Sequence, residues 1–513
     1  MNKYRTMKKY IMLVIISLSF TVIHSQNSTD AMRLSQTDQN GTARFRAMSG
    51  AFGALGGDFS SITVNPAGSA IFMNNQLGFT LSNFNIKNRS NYFGNSTSDK
   101  SNAIDINQAG VVFVFIDPNP KNNWKKITFA INYENNKNLK NASFSSGINP
   151  NNSIDNYFLS YANANAQQYG IPLGILENNN FEDLNYEDRQ AFLGYKGSII
   201  NPDQINPSNS KYVSNIPTGG NYSQKNYLES TGYNGKLSFN LATQFKDKLY
   251  FGLNVNSHFT DYTQSTSFYE TNNNSSNSGV KKLQFNNDLH TFGTGFSFQL
   301  GTIVKITKEF RAGLAYESST WFKLNDELSQ NLISTGFNYG NPPDPNLSTT
   351  ASPGSNIIMV FQPYTLKTPG KWTGSLAYVF GKRGLISVDY ALKNYSATKF
   401  TPKNEFQTAN TEISNSLTTS GELRIGGEYK IKQWSLRAGF RNEQSPYKDG
   451  KTIGDLTGYS GGLGYNFGAT KLDLAYATAH RSSQQSYFSQ GFTDGATIKS
   501  RNNNITLTLL FEL

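Results

Sequence analysis

From about Gln76 to Leu513, apolar residues recur at every second position in segments of roughly ten, separated by clusters of Gly, Asn, Ser, Pro or Asp. A period of two is the signature of a strand with one apolar face. Ile127, Phe129, Ile131 and Tyr133 alternate with Thr128, Ala130 and Asn132. Phe251, Leu253, Val255 and Phe259 alternate with Gly252, Asn254, Asn256 and His258. The pattern continues through Phe292–Leu300, Phe310–Tyr316, Trp372–Phe380, Ile386–Leu392, Leu423–Tyr429, Trp434–Phe440, Tyr459–Phe467 and Leu472–Tyr476, and closes with Ile505, Leu507, Leu509, Phe511 and Leu513. About fifteen segments qualify, whereas single-chain bacterial barrels have an even strand number, so one is surplus. The weakest is Asn356–Leu366, where Pro363 removes a ladder donor.

The opposite parity carries Arg311, Glu317, Asp389, Lys393, Arg424, Glu428, Lys430, Arg437, Arg441, Lys471 and Asp473. In a soluble β-protein these would face bulk water; in a transmembrane barrel they face the lumen, where both signs on neighbouring strands can pair. Composition favours the barrel. Only 37% of residues are hydrophobic while 13% are aromatic, which suits strands that need an apolar residue at alternate positions and interfaces that carry aromatic girdles. The expected fold is all-β, an antiparallel transmembrane β-barrel whose partners include outer-membrane lipid. Its terminal strand carries the kind of signal read by the barrel-assembly machinery during insertion.

The N-terminus supports export. Lys3, Arg5, Lys8 and Lys9 precede an apolar run from Tyr10 to Val22 and small residues near Ser25, the layout of a leader removed before Gln26. That run is shorter than the roughly 20 residues a spanning helix needs. Without these four cations the formal balance falls from +11 to +7 (42 basic minus 35 acidic residues), and the excess is scattered, so no nucleic-acid partner is expected. The chain has no cysteine, hence neither disulfides nor thiolate metal sites. The expected location is the outer membrane of a Gram-negative bacterium, with residues 1–25 as signal peptide, 26–75 as an N-terminal segment and 76–513 as the barrel.

A stretch of about 136–226 lacks clean alternation and is far longer than an ordinary loop. Asn156–Tyr169 and Phe181–Tyr195 within it have helix-compatible spacing. Asn- and Ser-rich runs at Asn201–Asn221 and Thr271–Gly279 read as exposed extracellular loops.

Gln26–Asn75 does not alternate. Gly50, Gly53, Gly56 and Gly57 lie among small residues, followed by Asp58, Ser60, Ser61 and then Asn65-Pro66-Ala67-Gly68 just before the first strand. Such glycine density permits close backbone approach inside a lumen. These residues, with the alternation and the closing strand, make the chain resemble the FadL-type outer-membrane transporters of long-chain fatty acids and other hydrophobic compounds. The resemblance implies a 14-stranded barrel plugged by the N-terminal segment, with Gly50, Gly53, Gly56, Asn65, Pro66 and Ala67 in the plug or gate. It also implies extracellular loop helices that capture an apolar ligand, placing Phe158, Leu159, Phe181, Leu184 and Phe192 at the ligand. A fatty chain gains about 0.8 kcal/mol per buried methylene, so an apolar groove suffices to concentrate it. In that family the Asn-Pro-Ala motif lies beside an inward kink of the third strand that opens a lateral path into the membrane. Here the third strand, near Ile127–Glu134, has no glycine or proline to explain a kink.

Catalysis is not expected. Gly458-Tyr459-Ser460-Gly461-Gly462 matches G-x-S-x-G with Asp473 and His480 downstream, but the elbow needs a strand-to-helix turn and Ser460 lies within an alternating strand. Past the leader only His258, His290 and His480 remain, too few and too scattered for a metal or haem site, so no cofactor is expected. Passive uptake of a hydrophobic small molecule or lipid is the leading function. A structural or assembly subunit with protein partners is the alternative, and a nonspecific porin is disfavoured by the plug.

Overall fold

The structure is a computed structural model that describes residues 28–164, 169–275, 279–337, 348–351, 353 and 357–513; the expected leader lies outside them. In chain order the strands are β1 (Gln76–Tyr92), β2 (Asn95–Ile116), β3 (Trp124–Asn138), β4 (Asn141–Asn149), β5 (Ile200–Pro202), β6 (Tyr212–Ser214), β7 (Tyr222–Phe245) and β8 (Leu249–Asn272). They continue with β9 (Gly279–Lys305), β10 (Phe310–Glu317), β11 (Trp321–Phe337), β12 (Ser348–Ala351), β13 (Ile358–Val360), β14 (Tyr364–Lys367) and β15 (Lys371–Phe380). The last are β16 (Gly384–Asn394), β17 (Lys399–Thr401), β18 (Thr419–Ile431), β19 (Trp434–Glu443), β20 (Ile453–Asn466), β21 (Thr470–Ser486) and β22 (Gly495–Glu512).

All but the small β5–β6 hairpin form one antiparallel sheet, which closes because β1 pairs with β22, Leu77 opposite Phe511 and Leu81 opposite Leu507. The result is a closed 14-strand barrel. β3 with β4, β10 with β11, β14 with β15 and β16 with β17 are each two halves of one crossing. The weak Asn356–Leu366 segment, of which Asn356 lies outside the described residues, is therefore not a crossing of its own over 357–366. β13 and β14 pair with β11 on either side of Pro363 and continue into β15, which removes the surplus strand.

The short turns at Phe245–Leu249, Phe380–Gly384, Ile431–Trp434 and Asn466–Thr470 share one end, and the long loops the other. Long loops mark the extracellular end. Parity follows the sequence reading: Leu376, Ile386, Leu436 and Leu463 are exposed on the outer wall, whereas Asp389, Arg424, Glu428 and Asp473 are buried inside.

Above the lipid belt the outer face meets water and the apolar signal fades. That is why β4 and the first half of β7 run unseen through the non-alternating stretch: Gln224 and Asn226 point inward and Lys225 and Glu229 outward. The extracellular insertion carries helices at Asp155–Ala162, Leu173–Asn178 and Tyr186–Lys196. The first predicted helix ends early, at Asn163, and part of its tail lies outside the described residues. The second is a 3₁₀ turn at Phe181–Asp183, then an extended Leu184, then a helix that Asn185 caps by accepting from Asp188 N at 3.0 Å.

Candidate functional site

Residues 28–72 fill the lumen and bond to inward-facing wall side chains. Thr42 opens the helix Ala43–Ala47 by accepting from Phe45 N at 3.2 Å, and its hydroxyl donates to Asp58 at 2.8 Å. Asp58 also accepts from Ser60 N, and burial lifts its carboxyl above the ordinary aspartate range. The wall supplies the anchors. Asp389 accepts from Phe52 N and Gly53 N, both at 3.0 Å; Arg44 donates to Glu428 at 2.9 Å; Thr508 accepts from Ala43 N at 2.7 Å. Gly53 is required where it stands, because a Cβ would lie 2.0 Å from Ser375 Oγ. Gly50 and Gly56 make the plug's turns with φ of 73° and 63°.

Asn65 organises the motif before β1. Its Oδ1 accepts from Ala67 N at 3.1 Å, while Nδ2 donates to Gly53 O at 2.7 Å and to Thr302 O of β9 at 3.0 Å. Asn240 of β7 donates to Pro66 O, and Ala67 sits on Gly252 of β8. Asn65, Pro66 and Ala67 thus dock on β7, β8 and β9, away from the upper part of the third crossing. Gly301 makes room: a Cβ there would lie 2.0 Å from Asn65 Oδ1. Replacing Gly301 by valine is expected to unseat Asn65, read as faster hydrogen exchange at the Ala67 amide; unchanged exchange would show that Asn65 is not the anchor.

The third crossing is interrupted, contrary to what its lack of glycine and proline suggested. β2 and β3 pair only between Gln108↔Glu134 and Ile116↔Lys126. Above, β3 bulges between Asn135 and Lys137 and ends, and β4 pairs with β7. No ladder joins β4 to β2 among the described residues. Thr97 Oγ1 bonds Phe144 O, and Asn95 Nδ2 donates to Ser146 O at 3.0 Å. β4 instead folds over the inner face of β1, where Asn88 donates to Ala142 O at 2.6 Å and Ser90 meets Ser145 at 2.5 Å. The cause is a bulge held by the plug: Asp38 N donates to Asn136 O at 2.8 Å and Asn40 Nδ2 to Asn135 O at 2.6 Å.

Phe158, Phe181, Leu184 and Phe192 come together in the extracellular cap, all buried, with Leu159 half-buried against them. Phe181 and Phe192 have ring centroids 5.9 Å apart, and Phe158 lies 5.5 Å from Phe285 of β9. The cap core extends onto inward-facing Phe268, Leu283, Leu328 and Leu332 of the upper wall.

A second apolar region went unnoticed in the sequence. The helix Ser28–Ser35 inserts Ala31, Met32 and Leu34 among Phe322, Leu324, Tyr364, Leu366, Phe400 and Phe406 in the upper lumen. The available signal was apolar residues on the lumen parity itself, Phe322 and Leu324 beside the outward Trp321. Lower down, the space between plug and wall is lined by Glu317, Lys371, Lys393, Glu422, Arg424 and Arg441 among others, a polar cavity.

The catalytic alternatives do not assemble. Ser460 Oγ donates to Ala47 O and accepts from Ser49 N, anchoring the plug, while His480 is exposed on the outer wall. His258 lines the lumen with Nε2 2.8 Å from Ser297 Oγ.

A closed barrel with a lumenal plug and a broken third crossing defines a plugged outer-membrane transport barrel. The chain belongs to the outer membrane protein transport protein family (OMPP1/FadL/TodX), whose model matches residues 208–510. It is similar to a FadL homologue of Pseudomonas aeruginosa, at 14% identity over 93% of this chain and 99% of that one, with a TM-score of 0.52. It is also similar to the toluene transporter TodX of Pseudomonas putida, at 14% identity over the same shares and a TM-score of 0.51. At these identities the likeness carries the fold. No curated protein matches the chain by sequence. The protein is a hydrophobic-compound channel of this family, located in the outer membrane, and not an enzyme.

Proposed function

We propose that the protein passively takes up hydrophobic small molecules such as long-chain fatty acids, which collect at the cap and leave sideways into the membrane where β2 parts from the third crossing, just above Gln108 and Glu134. The observation that carries this is the broken third crossing, where two neighbouring strands are held by side chains and not by a ladder. A barrel wall ordinarily has no such edge. The polar lining beneath the upper lumen supports the sideways route, since an apolar cargo gains nothing by passing ionised groups. In this reading Phe158, Leu159, Phe181, Leu184 and Phe192 concentrate the cargo, and Asn65, Pro66 and Ala67 with Gly50, Gly53 and Gly56 hold the plug that gates it.

The chain has no cysteine, so Asn95→Cys with Ser146→Cys can be bridged specifically by a short bifunctional thiol reagent. Bridging is expected to abolish uptake of a labelled fatty acid into cells or proteoliposomes, and cleaving the bridge to restore it. Full uptake through the bridged protein would defeat the lateral route. The tight packing of the cap core leaves a second reading, a structural subunit of a larger outer-membrane complex. Mild detergent extraction separates the two: bound acyl chains support uptake, while stoichiometric protein partners without lipid support the scaffold.

A further inference from the structure

Above the lipid belt, four neighbouring crossings present an unusual set of side chains outward. Leu507 and Ile505 of β22 face lipid, and beyond them the outward positions pair Asn503 with Asn85, then Arg501 with Lys87, then Lys499 with Arg89. Lys87 is in turn opposite Lys100 of β2, and Arg501 opposite His480 of β21. All six of Lys87, Arg89, Lys100, His480, Lys499 and Arg501 are exposed, and no outward position on β21, β22, β1 or β2 is acidic. Among the described residues none of the five lysines and arginines forms an ion pair; the polar contact of this set is Arg89 Nε to Ser96 Oγ at 3.0 Å.

Like charges directly opposite on a sheet repel and cost stability. The far wall at similar height is built differently: outward His290 lies 3.4 Å from Asp261 and 3.3 Å from Glu327. The cations therefore form a one-sided basic face that lacks its anion.

We propose that these two rows bind the phosphorylated glycolipid headgroups of the outer leaflet. Arg501 lies four residues past Ile505, which at about 3.3 Å per residue and a tilt of about 40° places it ~10 Å above the last lipid-facing side chain. Long basic side chains reach down from that height to the headgroups. Arginine and lysine alternating across adjacent strands can bridge a phosphate from both sides, turning the repulsion into charge-assisted hydrogen bonds. The continuity of the rows with the lipid belt selects a membrane lipid over a soluble anion.

The test uses the full-length protein in mild detergent, titrated with lipid A carrying both phosphates and read by native mass spectrometry. The variant Lys87→Gln, Arg89→Gln, Lys499→Gln, Arg501→Gln is expected to keep its heat-modifiable folded band and to lose at least about ten-fold in affinity. A control on the other side, Lys225→Gln with Lys323→Gln, is expected to bind as the wild type. Equal binding by the quadruple variant, or equal binding of lipid A stripped of its phosphates, overturns the proposal. Displacement of the lipid by an equal concentration of inorganic pyrophosphate overturns it in favour of a free anion. Should the quadruple variant not fold, Arg89→Gln with Lys499→Gln decides by the same readout.

Discussion

Deleting residues 33–57 is expected to raise the single-channel conductance of the reconstituted protein by at least about ten-fold, since a 14-strand wall without its plug encloses a wide aqueous passage. The deletion removes the plug groups bound to Asp389, Ser460 and Thr508, and with Arg44 it removes one of the two arginines on Glu428. The barrel itself keeps every strand-to-strand ladder, and Glu428 keeps Arg437 at 2.6 Å. Asn65 loses Gly53 O as an acceptor but retains Thr302 O, so the stub before β1 stays docked and the lumen above it opens. The intact protein should show no steady large current. A deletion protein that folds, by its heat-modifiable mobility, yet conducts no better than the intact one would place the occlusion elsewhere, with the cap core around Phe158 and Phe285 as the remaining barrier.

The membrane-embedded half of this fold is written in residue parity, and the reason is the solvent. Lipid outside and charge inside impose opposite demands on successive residues, so Leu436, Ala438 and Phe440 against Arg437 and Arg441 could be assigned from the sequence alone. The same logic explains what was hidden. Above the lipid both faces of a strand tolerate polar residues, and β4 and the upper part of β7 became indistinguishable from loop. The broken third crossing was hidden for another reason: its bulge is made by Asn135 and Asn136, whose carbonyls are taken by Asn40 and Asp38 some hundred positions away, a tertiary cause that no local glycine or proline announces. The plug was legible from its glycines because a lumen excludes side chains from close backbone approach, as at Gly53. The docking partners of Asn65, on β7, β8 and β9, were not, because a short motif does not encode where on the wall it lands.

The largest stability effect is expected at Arg437. On β19 it pairs directly with Glu428 of β18, donating at 2.6 Å, and its other nitrogen reaches Asp473 of β21 at 2.5 Å, passing over the intervening β20. That reach exists because β20 carries Gly462 and Gly464 there; a Cβ at Gly464 would lie 2.1 Å from Asp473 Oδ1 and 2.7 Å from Arg437 Nη1. All three charged side chains are at most 5% exposed, so their mutual attraction is little screened and each depends on the others for solvation. Arg437→Met fills much of the same space with no charge. Glu428 then retains Arg44 at 2.9 Å, while Asp473 is left buried in the wall without its hydrogen-bonded arginine, at a cost of about 3–5 kcal/mol by the usual penalty for breaking a buried pair. Unfolding in urea, followed through the tryptophans, should show a lower midpoint. Adding Asp473→Asn to Arg437→Met should recover part of the loss, because the orphaned charge is gone; a purely steric role for Arg437 predicts no such recovery. Arg437→Lys, which keeps the charge but contacts one carboxylate at a time, should fall between the two. A midpoint for Arg437→Met equal to that of the wild type would mean that the lumen is wet enough at this level to solvate Asp473, and the wall is then held by its ladders and not by its charges.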